Sequence, residues 1–128
     1  MYLSRNNAMA GLIGVSNEDG SKVSLSNQVV IDPAKWNIVS VRYSTALRAM
    51  TIKNHITGAV VVAPLATGQN RIVSTQSVRI GSAPTGPYGG KNMVAMAQIH
   101  NIALSDNDTD RNANFIRAYT ERKGISFL

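Results

Sequence analysis

The chain has 128 residues, enough for one domain to bury a core without covalent staples. It is 44% hydrophobic and 16% charged, which separates it from disordered sequences of low hydrophobicity and high charge. It contains no cysteine, which excludes disulfides, thiolate metal sites and cysteine nucleophiles.

Its 13 Lys and Arg against 7 Asp and Glu give a formal charge of +6, which favours an anionic partner such as nucleic acid or acidic glycan. The cations are scattered and form no run beyond Arg122-Lys123, whereas a nucleic-acid-binding tail is usually denser. Solvated strand faces that protect sheet edges are the favoured account of them. The first residues lack the long apolar stretch of a signal peptide, and no later run approaches membrane-spanning length, so the expectation is a soluble protein or a fragment of one.

Short β-branched segments separated by Gly, Asn, Ser, Asp and Pro clusters predict an all-β sandwich or barrel. The first strand is predicted at 9–15, followed by the turn Ser16-Asn17-Glu18-Asp19-Gly20. Two short strands are predicted at 22–25 and 28–31, ended by Asp32-Pro33, because proline has no amide proton to give a ladder. Residues 36–43 form the clearest strand, with Val39, Val41 and Tyr43 on a core face and Ser40 and Arg42 opposite. Alternation continues over 46–53, where Arg48, Met50 and Ile52 share a parity, and Asn54-His55 marks a turn. The apolar run within 56–63 predicts a more deeply buried strand ended by Pro64. Strands at 71–74 and 77–80 precede a long loop at 81–90, and a last strand is predicted at 93–102. The period then changes to about 3.6. Ser105-Asp106 is a helix-start signal, and a helix over 114–123 presents Phe115, Ala118, Tyr119 and Arg122 before Gly124 stops it.

Three stretches carry a family resemblance. Trp36 followed by alternating Val39, Val41 and Tyr43, and then by a polar-turn-linked strand, resembles the central hairpin of concanavalin A-like (laminin-G-like) lectins and glucanases. Ser77-Val78-Arg79-Ile80-Gly81 resembles their strand ending in glycine. Residues 90–104 running into Ser105-Asp106, and then the helix before Gly124-Ile125, are similar to the tail of such domains in bacteriophage tail fibre and tailspike proteins. The resemblance spans about residues 28–126. It implies an antiparallel, jelly-roll-like β-sandwich with one short C-terminal helix, occupying 1–128 as a single domain.

The chain departs from the family in having Asn54-His55 where asparagine-glycine is usual and in being shorter at its N-terminus. Missing first strands would leave a sheet edge to be covered. That implies a homo-oligomer, with a trimer favoured, or residence as the C-terminal module of a longer fibre chain.

Enzymatic chemistry is not expected. The family's glucanases need paired carboxylates across a cleft, and Glu18, Asp19, Asp32, Asp106, Asp108, Asp110 and Glu121 all fall in predicted turns or at the closing helix. His55 and His100 are the only histidines, and no serine sits in a nucleophile-elbow context. No cofactor is expected, with Ca2+ the one ion considered. Asp106, Asp108 and Asp110 alternate as calcium ligands do, and lectins of this superfamily often bind calcium, yet the same acids also suit a helix N-terminus.

Binding candidates lie in the loops. Tyr88 either stacks on a sugar face or folds back over the core edge, with Lys91 and Asn92 beside it as hydrogen-bonding groups. Arg42 and Arg48 are candidates for an anionic ligand if the strand register gives them one sheet face.

Three functions follow as expectations. One is a carbohydrate-binding or receptor-binding module of a phage fibre, located in the virion after synthesis in the cytoplasm and recognising a host-surface glycan. Another is a structural decoration, trimerisation or coat component. The third is a basic RNA-binding β-protein like the small RNA-phage coats, from which the single closing helix departs.

Overall fold

A computed structural model describes residues 2–4, 8–73 and 93–127 of the chain. In chain order the strands are β1 (Tyr2–Ser4), β2 (Ala8–Ser16), β3 (Lys22–Val30), β4 (Val39–Ser44), β5 (Ala49–Asn54), β6 (Val60–Pro64) and β7 (Asn70–Ile72). The helix α1 (Asp106–Glu121) follows. The architecture is mostly strand, in two small antiparallel sheets with one helix. The first sheet runs β1-β2-β3, with β7 also paired to β2, and the second runs β4-β5-β6.

The β2–β3 hairpin forms where its turn chemistry predicts. Asn17 donates from its backbone amide to the Ser21 carbonyl and from Nδ2 to Ser21 Oγ, each at 2.9 Å, while Asp19 accepts from the Ser21 amide at 2.9 Å. Gly20 takes φ 79°, a left-handed conformation that glycine adopts without steric cost. The strand after it is continuous, unlike the expected pair of short ones. β2 offers a partner at every position from Ser16↔Lys22 to Ala8↔Val30, and this unbroken ladder overrides the polar Ser26-Asn27 step.

β3 lies over β5 and β6, and the main core fills the space between the sheets. Val29, Ile31, Met50, Ile52 and Ala63 are buried there, flanked by Met9, Ile13, Leu25, Val39, Val41, Tyr43 and Val61. Strand parity dictates this set. Val41↔Ile52 and Ile52↔Val61 are registered neighbours, so their side chains line one face of the second sheet. Gly11 packs close against the second sheet, since a Cβ there would sit 2.9 Å from Ile52 Cδ1 and 3.1 Å from Val41 Cγ1. Burying each aliphatic side chain contributes roughly 1.5–3 kcal/mol.

Several boundaries differ from the sequence expectation for identifiable reasons. β4 begins at Val39 and not at Trp36, because Asp32 and Asn37 hold the preceding segment in turns. Asp32 Oδ1 accepts from the Ala34 amide at 2.9 Å, and Asn37 Nδ2 donates to the carbonyls of Asp32 at 2.7 Å and Lys35 at 2.8 Å. The β4–β5 turn falls at 45–48, with Arg48 in the left-handed region at φ 47°, so the expected strand over 46–53 starts later, at Ala49. The segment after β5 is a turn organised by Asn54, whose Oδ1 accepts from the amide of Ile56 at 2.9 Å and whose backbone amide donates to the Ala59 carbonyl at 2.9 Å. β6 is therefore short. It is not deeply buried, since Val60 and Val62 point outward, 51% and 55% exposed.

Residues 93–102 form no strand, and Met93, Val94, Ile99 and Ile102 are exposed. Apolar alternation permits an extended chain, but a strand also needs a neighbour with free backbone groups, and none of the described residues pairs with this segment. Residues 74–92, including the expected strand at 77–80 and the loop at 81–90, lie outside the described residues.

The helix starts directly at the expected signal, earlier than the expected span 114–123, and ends at Glu121. Ser105 is its N-cap, accepting from the Asp108 amide at 3.1 Å. At the other end Gly124, at φ 84°, donates to Glu121 O and the Ile125 amide donates to Thr120 O, the paired bonds of a glycine-terminated helix. Its inward face is Ala113, Ile116 and Thr120, while Phe115 and Tyr119 stack on each other outside with centroids 6.3 Å apart. Ala113 and Ile116 meet Ile38, Trp36, Ile56, Ile125 and Phe127 in a second, smaller core. Trp36 is thus a packed residue, as its position suggests. No helix among the described residues is long and apolar enough to cross a membrane.

Candidate functional site

Among the described residues, two places gather chemically capable side chains. One is the polar seam between the outer face of the second sheet and α1. Strand alternation puts Ser40, Arg42, Thr51 and Lys53 on that face, with Ser40↔Lys53 and Arg42↔Thr51 as registered pairs. His55 follows two residues after Lys53, and α1 lays its first turns across them.

The seam aligns a serine, a histidine and an aspartate. His55 Nε2 is 2.8 Å from Ser40 Oγ, and its Nδ1 is 3.1 Å from Asp110 Oδ1. A carboxylate only accepts, so Nδ1 carries the proton, and Nε2 then accepts from the Ser40 hydroxyl. Burial first, and then the Lys53 ammonium, hold the His55 imidazole below its ordinary 6.5, against the pull of Asp110. His55 is therefore neutral at pH 7. The hydrogen bond from Lys53 is the leading cause that holds the Asp110 carboxyl below the usual range.

These are the connections of a nucleophilic triad, but the same groups also hold the helix down. Lys53 Nζ reaches the same Asp110 Oδ1 at 2.6 Å, so the carboxylate divides between imidazole and ammonium. The His55 side chain is only 6% exposed. Arg42 extends the seam by pairing with Asp106 and donating to the Leu104 carbonyl at 2.9 Å. A triad must also leave room for a carbonyl carbon beside the serine and aim N–H donors at the oxyanion.

The acids expected as calcium ligands diverge within this seam. Asp106 turns to Arg42, Asp110 to Lys53 and His55, and Asp108 accepts from Ser105 Oγ at 2.6 Å. Calcium takes six to eight oxygens around one point, whereas each of these three carboxylates is engaged by other side chains. Among the described residues, no three His, Cys, Asp or Glu side chains group to hold a metal.

The second place is an open groove of about 450 Å³ lined by Tyr43, Thr45, Arg48, Leu65, Asn70, Arg71 and Val73. It lies where the β4–β5 turn meets the chain running from β6 into β7. Arg48 donates from Nη2 to the carbonyls of Ala66 and Gln69. Arg71 holds its guanidinium 5.2 Å from the centroid of the Tyr43 ring, a cation–π contact. Gln69 in turn donates to Asn17 Oδ1 at 2.9 Å, fastening the 66–69 loop to the β2–β3 turn.

Arg42 and Arg48 do not share a face. Arg42 faces the helix and is committed to Asp106, whereas Arg48 stands in the turn at the groove. Tyr88, Lys91 and Asn92 lie outside the described residues. Arg71, and the Ser40–His55–Asp110 alignment, were not singled out from sequence. His100, expected on a packed strand, is exposed outside any strand and sits 3.3 Å from Asn112 Nδ2. Comparison of the chain with protein-family models, curated proteins and solved structures returned no match.

Proposed function

We propose that this chain is a non-catalytic recognition module that binds a surface saccharide or receptor through the groove at Tyr43, Arg48 and Arg71. The observation that carries this reading is a division of labour. The Ser, His, Asp, Lys and Arg groups of the seam are used to dock α1, whereas the groove offers guanidinium, hydroxyl and amide groups to solvent. Facing antiparallel sheets and a closing helix suit the concanavalin A-like, jelly-roll-like sandwich that the sequence resembles. They also suit the tail fibre and tailspike setting, in the virion, that the resemblance implies.

A glycan array probed with the chain in multivalent display tests this. Selective retention of a subset of glycans supports it, and uniform absence of binding contradicts it.

A second reading, an assembly or coat component making mainly protein contacts, draws on the outward valines of β6. Among the described residues β6 pairs only with β5, so its other edge and Val60 and Val62 could receive another chain. Light scattering tests it. A stable trimer favours assembly, and a monomer at every concentration contradicts it.

A further inference from the structure

Resting on the recognition role proposed above, we infer that the groove is selective for an acidic saccharide, whose carboxylate or sulfate sits between the Arg48 and Arg71 guanidiniums.

Charge placement is the first support. Arg42, Lys53, Arg111 and Arg117 are each matched by a carboxylate, at Asp106, Asp110, Asp108 and Glu121. Arg48 and Arg71 have no acidic partner among the described residues, and no acid lines the groove. Each guanidinium carries five donors in a fixed fork that matches a carboxylate or sulfate. The contacts of Arg48 with two carbonyls and of Arg71 with Tyr43 fix their positions while leaving donors over, which lowers the ordering cost of binding.

Backbone strain is the second support, independent of the first. Arg48 occupies φ 47° in a hairpin turn, a position where glycine or asparagine is the unstrained choice. A non-glycine residue held there points to a use for its side chain.

The neutral lining favours a saccharide over a bare anion or a nucleic acid. Thr45 and Asn70 present a hydroxyl and an amide to sugar hydroxyls, while Leu65 and Val73 supply apolar surface for a ring face. Nucleic acid would need an aromatic face for base stacking and a track of cations. The Tyr43 ring instead has Arg71 above it and packs against the core.

The test titrates the isotope-labelled full chain with N-acetylneuraminic acid, glucose 6-sulfate, N-acetylglucosamine and a short oligouridylate, reading amide shifts and affinities. The expected result is that at least one acidic sugar binds about tenfold or more tightly than N-acetylglucosamine. Arg48→Gly and Arg71→Gln should each weaken that binding by about tenfold. Arg48→Gly should do so with the amide spectrum of a folded chain retained, because relief of the turn offsets the loss of its bonds to the Ala66 and Gln69 carbonyls.

Equal affinity for acidic and neutral sugars would overturn the inference and leave the recognition role standing. Unchanged binding by both variants, or preference for oligouridylate, would also overturn it. No binding of any probe, together with an empty glycan array, would overturn both.

Discussion

His55 Nδ1 and Asp110 Oδ1 lie 3.1 Å apart, joining the turn after β5 to the second turn of α1. Helix and sheet are therefore coupled through a titratable contact, and the folded His55 is harder to protonate than the unfolded one. Where the unfolded chain binds more protons, stability rises with pH. The contribution is fully present above about pH 6.5 and is lost as pH falls through the depressed folded value. Asp110 adds a second loss, in acid below its ordinary 3.8. Thermal melts from pH 7.5 to 5 should show falling stability, and NMR titration of the His55 ring should give a midpoint below 6.5. Lys53→Met should raise that midpoint, because the ammonium is one cause of the depression.

On the proposed non-catalytic reading, the Ser40 hydroxyl serves as a link in the docking network. A fluorophosphonate probe should leave Ser40 unlabelled under conditions that label a serine hydrolase fully. Ser40→Ala should cost about 0.5–1.5 kcal/mol of stability, the usual net value of one hydrogen bond. Stoichiometric labelling of Ser40, detected by mass spectrometry, would establish a nucleophile and displace the non-catalytic reading.

Asn54 is fully buried, with every polar side-chain atom satisfied. Its Nδ2 donates to the Val30 carbonyl at 3.1 Å, and its Oδ1 accepts from the Ile56 amide at 2.9 Å. Asn54→Ala strands these groups, each loss costing about 1–3 kcal/mol. Chemical denaturation should show destabilisation by about 2 kcal/mol or more, larger than for Ser40→Ala.

Residues 105–128 show which signals a sequence displays. Ser105 and Gly124 are local devices, a side chain that caps an amide and a glycine that adopts positive φ, and both were legible without tertiary context. The first two turns of α1 were not. Asp106-Asn107-Asp108-Thr109-Asp110 has no apolar period, and it becomes helix because its acids suit the N-terminal dipole and meet Arg42 and Lys53 on the sheet. Likewise Val39, Val41 and Tyr43 announced one face of a strand, but residues 93–102 alternate as well and pair with none of the described residues. The triad-like seam depends on register, which is set by a turn at 45–48 that overlaps the start of the strand expected over 46–53. Once Thr45–Arg48 is the turn, Ser40 faces Lys53 and His55 comes within reach. Arg48 was legible as a candidate for an anionic ligand, but on a strand beside Met50 and Ile52 and not in the turn where it stands. Arg71 gained meaning only through Tyr43.

The N-cap gives a further expectation. Ser105→Ala removes the bond to the Asp108 amide and should cost about 1 kcal/mol. The loss should appear in global stability and in faster hydrogen exchange over the first turn of α1. Ser105→Asp should restore most of it.

Amide-shift mapping of the full chain with its tightest glycan ligand, from the array or the acidic-sugar titration, tests most directly where recognition occurs. Perturbations centred on Thr45, Arg48, Asn70, Arg71 and Val73, with Ser40, His55 and Asp110 unmoved, are the result expected of a groove that binds beside a seam that only docks the helix. Shifts centred on Ser40, His55 and Asp110, with the groove silent, would contradict that assignment.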